Sequence, residues 1–327
     1  MNRARRQFLL LLVALFAASG AAGQPAPGMH RIGFINAGPA GPNAKYVGAF
    51  LAGMADLGYV EGRNLEIEFA WGDQKVERLP ALANEMISRK PAVIMSTGGP
   101  PAVRAIRSAT TTIPIVFITG DPVAEQIVPS LARPGGNLTG FAVLASDLEA
   151  KRLEILKLML PRAKRIAVVS NPAPPYAQDI MQSVEAAARR LDLTLLLWKA
   201  RDAQELEHAF VEIAAAKPDA LFVVADAILG FERERIVSFA NKNRLPGIYF
   251  WREFAEIGGL ASYGTNLSAV YRRAATYVDK ILKGARPGEL PVEQPTTFEL
   301  VLNRSTAKSL GVVIAPSVLR RVDDVIE

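Results

Sequence analysis

Short runs of β-branched and aromatic residues alternate with amphipathic stretches along most of the chain, and the alternation begins twice. Arg31–Asn36 (RIGFIN) reads as a buried strand, followed by a Gly/Pro-rich loop over 37–42. Val47, Phe50, Leu51, Met54 and Leu57 then recur at helical spacing. Strands are expected at Leu65–Trp71, Ala92–Thr97 and Ile113–Thr119, with helices over Gln74–Arg89 and from Pro100 to Ala109 between them. A helix over Asp147–Leu160 leads into a second opening strand, Arg165–Asn171 (RIAVVSN). Ile180, Val184, Ala187 and Leu191 mark the next helix face. Strands at Thr194–Trp198, Ala220–Ala225 and Gly247–Trp251 then alternate with helices at Ala203–Ala216 and Gly230–Asn243. Repeated strand–helix–strand units wind parallel sheets through right-handed crossovers. The expected fold class is therefore α/β, with two doubly wound parallel-sheet lobes.

The later connections bear on how the lobes are joined. Gly259–Gly264 (GLASYG) reads as a short strand, and the helix after it buries Tyr271, Ala274, Ala275, Val278, Ile281 and Leu282. A Pro/Gly-rich stretch, Gly284–Pro295, separates that helix from an alternating strand at Phe298–Leu302. The chain is expected to return to the first lobe and leave it again, giving about three hinge crossovers. On this reading residues 30–143 and 252–284 form lobe 1, and 144–251 and 285–327 form lobe 2.

The first residues stand apart from this pattern. Arg3, Arg5 and Arg6 precede an apolar run, Phe8–Ala18, too short to span a bilayer, and small residues follow to Gly23. Residues 1–23 read as a cleaved export signal. Arg5-Arg6-Gln7-Phe8-Leu9 suits a twin-arginine route, and the Leu-rich run suits general secretion equally well. The three arginines carry half of the net charge of +6, so the remainder is only mildly basic and nucleic acid is not an expected partner. The chain has no cysteine, which excludes disulfides, thiolate metal sites and a lipid-bearing cysteine.

Few residues offer chemistry. The only histidines are His30, before the first strand, and His208, in a helix beside Glu205, Glu207 and Glu212. Neither suits a nucleophilic triad or a multi-histidine metal site. The sequence Gly259–Gly264 is one residue off the nucleophile-elbow spacing, and residues 38–42 lack both phosphate-loop and dinucleotide patterns. Asn137-Leu138-Thr139 and Asn303-Arg304-Ser305 match glycosylation acceptors but read as turn and cap residues. No catalytic residue, cofactor or metal site is expected.

Binding is better served, because ligands of open α/β sheets sit at the carboxyl ends of the strands. Asn36 ends the first strand there. Ser96, Thr97, Gly98 and Gly99 lie between a strand and a helix, where glycines allow close approach and a helix N-terminus favours a carboxylate. Asn171, Tyr176 and Asp226 hold the equivalent places in the second lobe, with Asp226 suited to an ammonium group. Phe250, Trp251 and Tyr263 could form an aromatic wall near the crossings. Each has a plainer reading as cap, loop or core. Asp121, at a strand end, is a lesser candidate because Pro122 makes it a natural helix cap.

Several long blocks carry a family resemblance: IPIVFITGDPV, SLARPGGNLTG, RLPGIYFWREF, GGLASYG, KILKGARPGELPVEQPTTFELVLN and LGVVIAPSVLRRVDDVIE. They resemble the substrate-binding proteins of a bacterial ABC-importer family that includes tryptophan- and tyrosine-type amino-acid binders. The similarity runs from about His30 to Glu327. It implies a type I periplasmic binding protein fold, a small-molecule ligand, an aromatic or other amino acid among the options, held between lobes, and a periplasmic monomer. It also implies an ABC permease and its ATPase as partners. A ligand-sensing subunit for a membrane receptor, or an exported enzyme on the same fold, are the alternatives.

Overall fold

The computed structural model describes residues 28–143 and 147–327. The export signal read at 1–23 and the place of the first crossing at 144–146 lie outside the described residues. The first sheet comprises β1 (His30–Asn36), β2 (Leu65–Trp71), β3 (Val93–Thr97), β4 (Ile115–Thr119) and β5 (Leu138–Ala142). All pairings are parallel, in the order β2-β1-β3-β4-β5. The second sheet comprises β6 (Arg165–Ser170), β7 (Thr194–Lys199), β8 (Ala220–Val223), β9 (Gly247–Tyr249), β10 (Ala261–Thr265), β11 (Phe298–Asn303) and β12 (Asp324–Ile326). Its order is β12-β11-β10-β9-β8-β6-β7, parallel apart from the antiparallel β10–β11 pair. The first five strands of each lobe therefore share one winding order, and each lobe has its switch point beside its opening strand, at β1/β3 and β6/β8.

The strands read as continuous apolar runs because helices cover both sheet faces. In the first lobe, helices Ala40–Asp56 and Leu267–Leu282 pack one core with Phe34, Phe50, Met54 and Tyr271. Helices Leu79–Ser88 and Pro100–Ala109 close the other face over Ile35, Ile94 and Phe117. Gly53 lets the first pair touch: a methyl there would strike the Arg272 carbonyl of the facing helix.

Sheet membership moves two lobe boundaries from their expected places. The strand at Ala261–Thr265 pairs with β9 and β11, so the chain stays in the second lobe until Asn266 and not merely to 251. Only the following helix crosses. After it, residues 285–293 remain with the first lobe: Val292 is in its core, and Glu293 exchanges backbone hydrogen bonds with Gly140 and Ala142. An aperiodic Pro/Gly-rich stretch reads as a linker, yet this one is a docked extension that buries its few apolar side chains. Two helices also divide. Residues 76–88 form a 3₁₀ turn, Val76–Arg78, and then a helix, while Ala227–Phe231 and Arg233–Lys242 replace one expected helix. The residues after Asp121 form successive turns.

Candidate ligand-binding cleft

The carboxyl ends of both sheets face each other across a cavity of about 360 Å³, within the ordinary size range of small-molecule sites. Gly98–Pro101, Thr119, Gly120, Tyr46 and Tyr271 line it from the first lobe. Asn171, Pro174–Tyr176, Asp226, Phe231, Arg233 and Trp251 line it from the second.

The lobes touch around its rim. Arg233 donates from Nη1 to the Gly230 carbonyl (2.9 Å) in its own lobe and from Nη2 to the Pro42 carbonyl (3.1 Å) in the other. Lys45 Nζ reaches Glu256 (2.7 Å) and Glu253 (3.3 Å) across the gap. A Cβ built on Gly38 would lie 2.5 Å from two ring carbons of Phe231, so glycine is what lets this edge close. This is a closed arrangement of the lobes.

Seven of the expected residues line the cavity: Gly98, Gly99, Asn171, Tyr176, Asp226, Phe250 and Trp251. Gly98 and Gly99 hold left-handed backbone angles (φ +82° and +94°), and a side chain on Gly98 would strike the Asn36 amide. Pro100 and Pro101 start the next helix and lack N–H groups, so this helix end offers fewer donors than its position suggests. Asp226 caps the helix Ala227–Phe231, its Oδ1 accepting from Ile228 N–H (2.8 Å) and Leu229 N–H (3.1 Å). Its Oδ2 accepts from Asn171 Nδ2 (3.1 Å), while Asn171 Oδ1 accepts from Ala173 N–H. Burial raises the Asp226 pKa, and these hydrogen bonds pull against it. Capping and a place on the cavity wall coexist. Trp251 stands edge-on to Phe250 (4.8 Å between centroids), and its indole occupies the space that a side chain on Gly230 would need. Tyr176 lies against Gly120 of the opposite lobe.

The other five lie outside the cavity wall. Asn36 is fully buried; its Nδ2 donates to Thr97 Oγ1 (2.7 Å) and its Oδ1 accepts from Gly38 N–H (2.6 Å). It shapes the loop. Ser96 and Thr97 are buried within β3, Thr97 beside the Tyr271 hydroxyl. Asp121 accepts from the N–H groups of Val123 and Ala124 (both 3.0 Å), as the Asp-Pro pair predicts. Tyr263 packs by Phe298 against the second lobe's own core.

Sequence reasoning missed several groups. Tyr46 and Tyr271 stack 5.1 Å apart on two helices whose spacing reads as ordinary core. The Tyr46 hydroxyl, buried and raised in pKa by burial, sits within electrostatic reach of Glu253 without hydrogen-bonding to it. Phe231 and Arg233 fall in the first turn of the helix expected from Gly230, where nothing marks them as facing a ligand. Glu125, only 1% exposed, accepts from Thr119 Oγ1 (2.9 Å) behind the cavity. Beneath Ala225 and Asp226, Glu149 and Arg152 form a buried ion pair, and Glu149 accepts from Ala225 N–H (3.1 Å). No group of three or more potential metal ligands occurs among the described residues.

This geometry agrees with comparisons to known proteins. Residues 39–326 match the family model described as ABC transporter substrate binding protein. A "Tyrosine-binding protein" of Clostridioides difficile (strain R20291) is 27% identical over 263 residues, covering 80% of this chain and 75% of that protein. A conserved domain protein from Vibrio cholerae superposes with TM-score 0.83 at 28% identity, covering 91% of this chain and 99% of that one. An ABC domain from Streptococcus pneumoniae, solved in complex with L-Trp, gives TM-score 0.83 at 22% identity, with 91% and 100% covered. The fold is that of the type I periplasmic binding proteins. The chain belongs to the ABC transporter substrate-binding protein family.

Proposed function

We propose that this protein is the extracytoplasmic solute-binding component of an ABC importer and that its cleft takes an aromatic or similarly apolar amino acid. The observation that carries this reading is the composition of the cleft. Asp226, a carboxylate on its wall, stands opposite backbone-rich glycine turns, and Trp251, Phe231, Tyr46 and Tyr271 enclose the space between. The carboxylate suits the α-ammonium, and charge-assisted bonds of this kind strengthen as water leaves. Backbone N–H groups around Gly98, Gly99 and Gly120 suit the α-carboxylate, and the aromatic faces suit the side chain. The relatives named for tyrosine binding and solved with L-Trp support the same class.

Function is then a ligand-biased equilibrium between open and closed lobes, with no covalent step. The closed form presents both lobes to a permease in one fixed relation, and the permease's ATPase drives release. Residues Asn36, Ser96, Thr97 and Asp121 support the site from behind; Gly98, Gly99, Asn171, Tyr176, Asp226 and Trp251 contact the ligand. Tyr263 stays out of contact. The protein acts as a periplasmic monomer delivered by its leader.

Thermal melting with each of the standard amino acids tests this. Tryptophan or tyrosine should raise the midpoint, saturably and at one ligand per chain. No shift with any amino acid, or conversion of the added compound, would contradict it.

A further inference from the structure

We propose that Glu125 of the first lobe is a positioning residue for binding, acting through the Tyr176 hydroxyl of the second lobe as a latch that forms only when the cleft shuts. This rests on the reading of the cleft as an amino-acid site. Tyr176 is the natural carrier of the contact, because it lines the cavity from the second lobe and its hydroxyl reaches Gly120 of the first. A Cβ on Gly120 would lie 2.8 Å from that hydroxyl and 3.0 Å from Glu125 Oε1, so the two groups converge over one glycine. A ligand that holds the Tyr176 ring in place thereby holds the hydroxyl over the Glu125 carboxyl.

Among the described residues no cation pairs with the Glu125 carboxyl. From β4, Thr119 donates to its Oε2 (2.9 Å); the Asp121 N–H donates to Oε1 (3.3 Å), with the Asp121 carboxylate nearby. Arg104, on the helix Pro100–Ala109, donates to the backbone carbonyl of Glu125 (3.0 Å). From the second lobe come Tyr176 and, beyond it, Asp226. Burial is the leading influence and pushes the Glu125 carboxyl to about 7, against hydrogen bonds that favour its ionised form. Burial also keeps the Tyr176 phenol protonated, so it is always a donor.

Opening the cleft removes the cover. Water then replaces the phenol and solvates a carboxylate at least as well, so the pKa of Glu125 falls toward the ordinary carboxylate range. Closure therefore takes up a proton. Affinity is greatest on the acid side, falls as pH rises toward about 7, and levels above that. The limit is about tenfold per pH unit for a full proton. Asp226, whose pKa burial raises, must be ionised to take the ligand's ammonium, so it adds a slope of opposite sign.

The experiment is calorimetric titration with L-tryptophan and L-tyrosine from about pH 5.5 to about pH 8, in buffers of different ionisation enthalpy. Wild type, Glu125→Gln and Tyr176→Phe are compared. The Asp226 slope is common to wild type and Glu125→Gln, so their difference isolates Glu125. Wild type should take up a fraction of a proton near pH 6 and should weaken about threefold or more relative to Glu125→Gln across the range. Tyr176→Phe keeps the ring and loses the donor, so its affinity should level off at a higher pH than wild type. Coinciding wild-type and Glu125→Gln profiles would overturn the latch while leaving the cleft intact. Failure of wild type to bind either amino acid at any pH would overturn the amino-acid reading and the latch with it.

Discussion

Gly38→Ala separates lobe closure from folding. The added methyl would sit 2.5 Å from Cε1 and Cζ of Phe231 and 3.1 Å from its Cδ1. Carbon contacts relax near 3.5–4.0 Å, so the ring must retreat by about 1 Å. Overpacking of that kind costs about 1–3 kcal/mol. The three nearest atoms all belong to Phe231 of the second lobe, so opening the cleft relieves the clash. Gly38 is not among the glycines with left-handed φ, and alanine there also lowers the entropy of the unfolded chain. The ligand-free melting temperature should therefore hold or rise slightly. Tryptophan affinity should fall roughly 5- to 150-fold, the same cost expressed as a dissociation constant. Calorimetric titration and ligand-free melting of the two proteins measure both quantities. Unchanged affinity would remove the Gly38–Phe231 contact from the liganded form. A matching loss of ligand-free stability would mean that the lobes are packed together regardless of ligand, and the hinge reasoning would fail.

Other perturbations address different layers of the cleft. Asp226→Asn keeps an N-cap but removes the charge, so it should change melting by little and weaken amino-acid binding by at least tenfold, about 1.4 kcal/mol or more. Arg152→Met strands Glu149 as a buried charge beneath Ala225; denaturant melts should show about 3–5 kcal/mol of lost stability. Lys45→Ala removes a partly exposed interlobe ion pair, and its effect on affinity should stay below about 1 kcal/mol and shrink as salt rises.

The strand–helix alternation was legible because buried strands and one-faced helices differ in period. The restart at Arg165 revealed two lobes, and both sheets share the winding that such units favour. Pairing partners were not legible. β10 stays with β9 through long-range hydrogen bonds, and 285–293 docks on β5, and neither leaves a periodic trace. In the cleft, position at a strand end marked the correct edge but not the direction of a side chain. Ser96 and Thr97 still lie inside β3 and point into the lobe, while Gly98 and Gly99, just past its last residue, reach the cavity. Asp226 was readable because it is the first polar residue beyond a buried strand. Tyr46, Tyr271 and Glu125 were not, since each occupies a spacing that core residues also occupy.

The most direct measurement is titration of the wild-type protein with L-tryptophan, followed by recovery of the amino acid from the complex. One tryptophan should bind per chain and be released chemically unchanged. Absence of saturable binding by tryptophan and tyrosine alike, or recovery of an altered product, would contradict it.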